Sequence, residues 1–153
     1  MSLDTVRADL AVRAPDLTVM VTPDSTATVD LAAAVHGVAP GQIAKTLAIR
    51  VGEREFLLVT RGDARLSNQK AKAAFGGKAS MLAADEVAQL TGHPIGGVCP
   101  FGLVSPLPIY CDVKLRDFEV VIPAAGAPHA SLKIEPGRLS EITGAAWVDV
   151  CQG

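Results

Sequence analysis

The sequence predicts a mixed α/β domain, α+β-like in character, with about seven short strands interleaved with helices and paired mostly antiparallel. Three observations carry that expectation. Hydrophobic residues make up 49% of the 153-residue chain and charged residues 20%, a balance that suits one packed domain over residues 1–153. One hairpin stands out, because residues 43–51 and 55–60 are rich in Ile, Leu and Val and meet at Gly52-Glu53. The other strand candidates do not fall at the regular spacing of a βαβ series.

The elements follow in order. Residues 3–13 place Leu3, Val6 and Leu10 at helical spacing, and Pro15 closes that segment. Residues 18–22 are short and β-branched, so they read as a strand. Thr28 is a good N-cap for an alanine-rich helix that runs to His36 and stops at Gly37. After the hairpin, Ser67 caps a helix to Phe75, a strand is expected over 79–82, and a helix over 84–90. Strands over 107–111 and 119–123 flank a helical turn at 112–116. A strand over 131–134, a helix over 136–143 with Pro136 at its start, and a strand over 147–150 complete the chain.

The stretch from Pro94 to Cys111, PIGGVCPFGLVSPLPIYC, carries no charge yet is a poor helix, since four prolines lack a backbone donor and three glycines loosen the chain. The same breaks make it a poor membrane span. A shaped, uncharged pocket wall leading into a strand fits it best, with Gly96 and Gly97 allowing close backbone approach to a ligand and Pro100 stiffening the far side. A second glycine/proline loop, residues 124–131, carries His129.

Composition narrows the function. Aromatic residues are 4% of the chain, so the core is built from Ala, Val, Leu and Ile. A net charge of −2 argues against a protein that coats DNA or other nucleic acid nonspecifically. A local exception is residues 61–78, where Arg61, Arg65, Lys70, Lys72 and Lys78 face only Asp63. Cys99, Cys111 and Cys151 form no C-x-x-C pair, so no zinc site or disulfide framework is expected, and a reducing cytoplasm suits them. The first residues show no apolar signal core. Together these readings imply a cytoplasmic protein that touches no membrane.

The chemistry is limited by what is missing. No G-x-S-x-G elbow is present, the three histidines lack zinc-ligand spacing, and the phosphate-binding glycine patterns are absent. Neither a metal nor a cofactor is expected. Lys45 sits near the start of a strand, where a lysine is ordinarily an edge residue. With two donor-rich loops it makes a site that can hold an anion and polarise a carbonyl without a strong base. A cysteine hydrolase pairing Cys99 with His129 is a rival reading.

Four phrases carry a resemblance. Thr28-Val29-Asp30-Leu31-Ala32-Ala33, Gln42-Ile43-Ala44-Lys45-Thr46-Leu47, Gly96-Gly97-Val98-Cys99-Pro100-Phe101-Gly102-Leu103, and the ending Leu139…Thr143-Gly144…Trp147-Val148-Asp149 occur in order from about residue 28 to 150. In them the chain resembles the YbaK/ProX family, free-standing relatives of the editing domain inserted in bacterial prolyl-tRNA synthetase. The resemblance implies a barrel-like sheet ringed by helices and hydrolysis of amino acids wrongly attached to tRNA, acting in trans, with tRNA(Pro) as the expected substrate. The implied partners are the acceptor end of aminoacyl-tRNA and prolyl-tRNA synthetase. Lys45 matches the family's essential lysine, taken to engage the terminal adenosine's phosphate, and Gly96 and Pro100 match its G-x-x-x-P loop. Gly126, His129 and Ser131 fall in its second loop. The expected catalytic groups are therefore Lys45 and the backbone of Gly96 and Gly97. Thr28, Thr46, Val98, Cys99, Pro100, Gly126, His129 and Ser131 are expected at the substrate, and Arg61, Arg65 and Lys70 at the acceptor stem. Cys99 stands where serine is common, and Ala127 and His129 where serine, asparagine or glycine is often found. The rival within this family is a module that holds tRNA ends or a synthetase without catalysis.

The physical logic is that of a second sieve. One methylene is worth only about 1–3 kcal/mol, so a synthetase cannot by binding alone reject a slightly smaller apolar substrate. A small pocket that hydrolyses what fits is the remedy. The ester is already activated, the neighbouring ribose hydroxyl can position water, and each backbone donor can supply roughly 2.7–4 kcal/mol of oxyanion stabilisation.

Overall fold

A computed structural model of the protein describes residues 2–152. Helix α1 (Ser2–Arg13) is followed by the short strand β1 (Met20–Val21) and helix α2 (Val29–His36). A single 3-10 turn then feeds β2 (Ile43–Val51), which returns directly as β3 (Arg54–Arg61). Helix α3 (Asn68–Phe75), β4 (Ser80–Met81) and α4 (Ala84–Thr91) precede the long proline-rich connection to β5 (Ile109–Asp112). The chain closes with β6 (Ile122–Pro123), β7 (Ala130–Ser131), α5 (Pro136–Thr143) and β8 (Ala146–Val148). No helix among the described residues is long and apolar enough to cross a membrane.

The mixed α/β class holds, and the hairpin is where the sequence puts it. Its eight-residue register, from Ala44 opposite Arg61 to Val51 opposite Arg54, forms the middle of the main sheet. The helix caps are also as read: the Thr28 hydroxyl accepts from the Leu31 N–H at 3.2 Å and the Ser67 hydroxyl from the Lys70 N–H at 3.2 Å.

One feature of the sheet differs from expectation. It does not close into a barrel: the strands form a six-stranded sheet ordered β4-β2-β3-β5-β8, with β6 also on β2, and a separate β1-β7 pair. Most of its paired residues are antiparallel, through β2–β3 and β2–β4, while β2–β6, β3–β5 and β5–β8 are parallel. The cause is the connections. Only β2 and β3 are joined by a tight turn, while β5 is reached after two helices and the 92–108 connection, long enough to bring the chain back in the direction of β3.

Strand alternation gives β2 two faces. Ala44 and Ala48 belong to the larger core, with Val6 and Leu10 of α1, Phe101, Leu132 and Leu139. Leu47, Ile49 and Val51 face the other way, towards a cluster of Phe56, Ala71 and Phe75, where the rings of Phe56 and Phe75 lie 4.6 Å apart.

Helix α1 holds both glycine loops. Gly102 N–H donates to Asp9 Oδ2 at 2.8 Å, and the Ser2 hydroxyl pairs with Nδ1 of the buried His93. Gly126 lies so close that an added Cβ would stand 2.7 Å from the Ser2 carbonyl oxygen.

Candidate active site

Strand β2 has one fully paired edge, along β3, and one interrupted edge. On the interrupted edge β6 pairs at Ile43–Ala44 and β4 at Ile49–Arg50, and the Ala48 carbonyl accepts from Leu82 N–H at 3.1 Å. Lys45, Thr46 and Leu47 lie in the gap. A cavity of about 190 Å³ opens there, lined by Lys45 and Thr46 of β2, Thr28 and Val29 of α2, Ile95, Gly96 and Val98 of the long connection, and Ser131 of β7. Ala27, Ala32, Ala124 and Ile122 complete a mostly aliphatic wall.

The polar groups of this cavity are short of partners. The Thr46 hydroxyl is buried and has no hydrogen-bond partner among the described residues. The N–H groups of Gly96 and Val98 likewise lack one. A buried hydroxyl without a partner is costly, and its natural complement is a polar ligand. Gly96 is needed where it is: its φ is +86°, and a Cβ would meet that of Ala27 at 2.7 Å.

Lys45 behaves as a tethered cation. Its ammonium donates to the Ala64 carbonyl at 2.6 Å, and an ammonium has two further donors. Burial, chiefly, pulls it below the ordinary lysine range; Cys151 and Asp63 oppose the shift and the nearby Arg65 charge adds to it.

Of the residues singled out from the sequence, six meet at this cavity: Lys45, Gly96, Thr28, Thr46, Val98 and Ser131. The others lie elsewhere. The Gly97 N–H is taken by the Pro94 carbonyl at 2.9 Å, so it is not an open donor, and a Cβ at Gly97 would stand 2.6 Å from the Ala127 nitrogen. This close approach lets the two loops pair, with Gly126 N–H donating to the Gly97 carbonyl at 3.0 Å. Gly126 itself serves the docking of α1. Cys99 is fully buried, its sulfur 3.6 Å from His93 Nε2, and burial pushes its thiol up to about 12. His129 is exposed, and its carbonyl accepts from Thr22 N–H at 2.8 Å. A Cys99–His129 pair therefore does not form. Pro100 lines a different and larger hollow, of about 620 Å³, between α1 and the connection.

The basic segment is also more balanced than its sequence suggests. Arg61 is forked between Asp63 and Asp117, at 2.8 and 2.7 Å, and Lys70 meets Asp149 at 3.2 Å. Arg65 is exposed and makes no ion pair among the described residues. The sequence reading missed His36, the last residue of α2, whose Nε2 lies 2.7 Å from the Ser131 hydroxyl. No local signal marks that pair, since 95 positions separate its members.

Comparison with known proteins agrees with this geometry. The uncharacterized protein YwhH of Bacillus subtilis (strain 168) is 43% identical over 156 residues, covering 99% of this chain and 98% of that protein. A proline–tRNA ligase of Shouchella clausii (strain KSM-K16) is 33% identical over 120 residues, which are 76% of this chain but only 21% of the ligase. A crystal structure of a candidate trans-editing enzyme for prolyl tRNA synthetase superposes with a TM-score of 0.91 at 36% identity, covering 99% of this chain and 98% of that one. Residues 23–142, which include every cavity residue named above, match the aminoacyl-tRNA editing domain, and the chain belongs to that family.

Proposed function

We propose that the protein is a trans-acting aminoacyl-tRNA deacylase that hydrolyses the ester of a small amino acid wrongly attached to tRNA(Pro). The observation that carries the proposal is the gap in β2. It brings Lys45, an unpartnered hydroxyl on Thr46 and the open N–H groups of Gly96 and Val98 to one small aliphatic cavity. The likeness to a candidate trans-editing enzyme for prolyl tRNA synthetase over 99% of this chain, and the partial match to a proline–tRNA ligase, support tRNA(Pro) as the substrate.

In this reading the aminoacyl side chain enters between α2 and Ile122. The ester carbonyl faces the Gly96 and Val98 N–H groups, which take the negative charge as water adds. The two free donors of the Lys45 ammonium meet a phosphate of the terminal nucleotide, with Arg65 alongside as a second, unpaired cation. The ribose hydroxyl next to the ester orients water, so no protein base is required. Arg61 and Lys70, already paired with carboxylates, contribute less to tRNA binding than Arg65. The errors cleared this way are those of prolyl-tRNA synthetase.

The test is multiple-turnover deacylation of tRNA(Pro) charged with Ala, Cys, Ser, Thr, 2-aminobutyrate or Pro. Catalytic release of a small amino acid with Pro-tRNA spared is expected. Stoichiometric binding without release would make the chain a holder of tRNA ends instead.

A further inference from the structure

The wall of the cavity is aliphatic apart from a few hydroxyls and Lys45, and one of those hydroxyls is held by a group from outside the cavity. Ser131 is 2% exposed, on the two-residue strand β7, fixed by pairing with Met20 and by a bridge to Ala124. Its hydroxyl lies 2.7 Å from Nε2 of His36, at the last turn of α2. A hydroxyl carries one donor and two acceptor sites, so a fixed imidazole on one side restricts what it presents on the other. Burial, followed by the positive charge of Lys133, holds the His36 imidazole below its ordinary range. Thr46, on the same wall, has a buried hydroxyl with no partner among the described residues. Of the four hydroxyl residues that line the cavity, Thr26 is bonded to the Pro128 carbonyl and Thr28 caps α2, which leaves one oriented by His36, on Ser131, and one unsatisfied, on Thr46, beside aliphatic residues such as Val29, Ile122 and Ala124.

We propose that His36 is a specificity-determining positioning residue, which orients the Ser131 hydroxyl so that the cavity favours a small side chain bearing a hydroxyl over one of similar size without it. The inference rests on the deacylase reading and names the substrate class of that site. Its reason is asymmetric. A purely aliphatic pocket barely distinguishes a methyl from a hydroxyl, whereas buried polar groups left unpaired by the wrong substrate discriminate strongly. His36 acts only through Ser131 and need not touch substrate.

The experiment compares kcat/KM for Ser-tRNA(Pro) and Ala-tRNA(Pro) in wild type, His36→Ala, His36→Gln, Ser131→Ala and the double variant His36→Ala/Ser131→Ala. Wild type favours Ser. His36→Ala lowers the Ser/Ala ratio about tenfold, the loss of about one oriented hydrogen bond. His36→Gln, whose amide nitrogen can take the place of Nε2, restores most of it. The double variant is no worse than Ser131→Ala alone, because the two residues act as a unit. A general loss of stability would lower both substrates together and would not be rescued by Gln. An active wild type whose Ser/Ala ratio is near one, or is the same in His36→Ala, overturns this inference and leaves the deacylase reading standing. A wild type inactive on every charged tRNA overturns both.

Discussion

Two hollows lie against the same proline-rich connection, and their difference is instructive. The larger, about 620 Å³, sits between α1 and residues 100–107; the smaller, about 190 Å³, sits at the gap in β2. Volume alone would choose the first. Its charged groups, however, are already paired: the Arg13 guanidinium donates to Asp9 and to the Ile142 carbonyl at 2.6 Å, and Asp9 also accepts from the Gly102 N–H. In the smaller hollow the Thr46 hydroxyl and the Gly96 and Val98 N–H groups remain without partners among the described residues. Satisfied polar groups hold a structure together, whereas unsatisfied ones await a ligand. Unused hydrogen-bonding capacity, more than size, marks the chemistry.

Three substitutions press on that contrast, beginning with the largest effect. Lys45→Ala removes the cation of the smaller hollow. Turnover should fall by at least about 100-fold, in the range seen when an electrostatic group at a reacting centre is lost. The melting temperature should change little, since among the described residues the ammonium holds only the Ala64 carbonyl. A folded Lys45→Ala protein with near-normal turnover would remove Lys45 from the site.

Thr46→Val is the sharper test, because its two effects run in opposite directions. It replaces a buried hydroxyl that has no partner with a methyl of similar shape. Stability should hold or rise by up to about 1 kcal/mol in urea titration, while kcat/KM falls about tenfold. Loss of stability with activity intact would mean that the hydroxyl already has a partner in solution.

Asp9→Asn probes the larger hollow and has the smallest effect. Burial pushes the Asp9 carboxyl up, but Arg13 and the Gly102 N–H outweigh it and leave it below the ordinary carboxylate range. A carboxylate depressed by folding contributes stability that is complete above its unfolded value and is lost as pH falls through its folded one. The wild type should therefore lose stability below about pH 4. Asn should remove that component at a cost of about 1 kcal/mol at pH 7, a modest figure because solvent screens the exposed side of the pair. Deacylation should be unchanged. A large loss of activity would show that the two hollows are coupled through the connection they share.

What the sequence revealed was local. The β2–β3 hairpin follows from Gly52-Glu53 between two aliphatic runs, and the starts of α2 and α3 follow from Thr28 and Ser67. The loop residues were visible as a set, but not their directions. The turn closed by Gly97 N–H on the Pro94 carbonyl leaves Gly96 and Val98 on the cavity while Gly97 meets the second loop and Cys99 enters the core. Spacing along the chain does not encode that alternation. The same limit hid Asp117 as a partner of Arg61, 56 positions away, and His36 as the partner of Ser131. The parallel pairing of β5 with β3 was equally illegible, because it depends on where a long connection returns.

Helix α1 bears on how the site comes into being. It precedes residues 23–142, the part that matches the editing domain, yet it touches both loops, through Gly102, Gly126 and His93. Those contacts join residues 91 and 93 positions apart. Contacts of high sequence separation form late, because the entropy of closing a long loop opposes them until the rest of the chain is compact. The hairpin can zip early from its own turn, but the loop carrying Gly96 gains its full support only when the first helix meets His93 and Gly102. A protein caught before that step would have its sheet in place and its sieve still unshaped, so proofreading competence would arrive as the final event of folding.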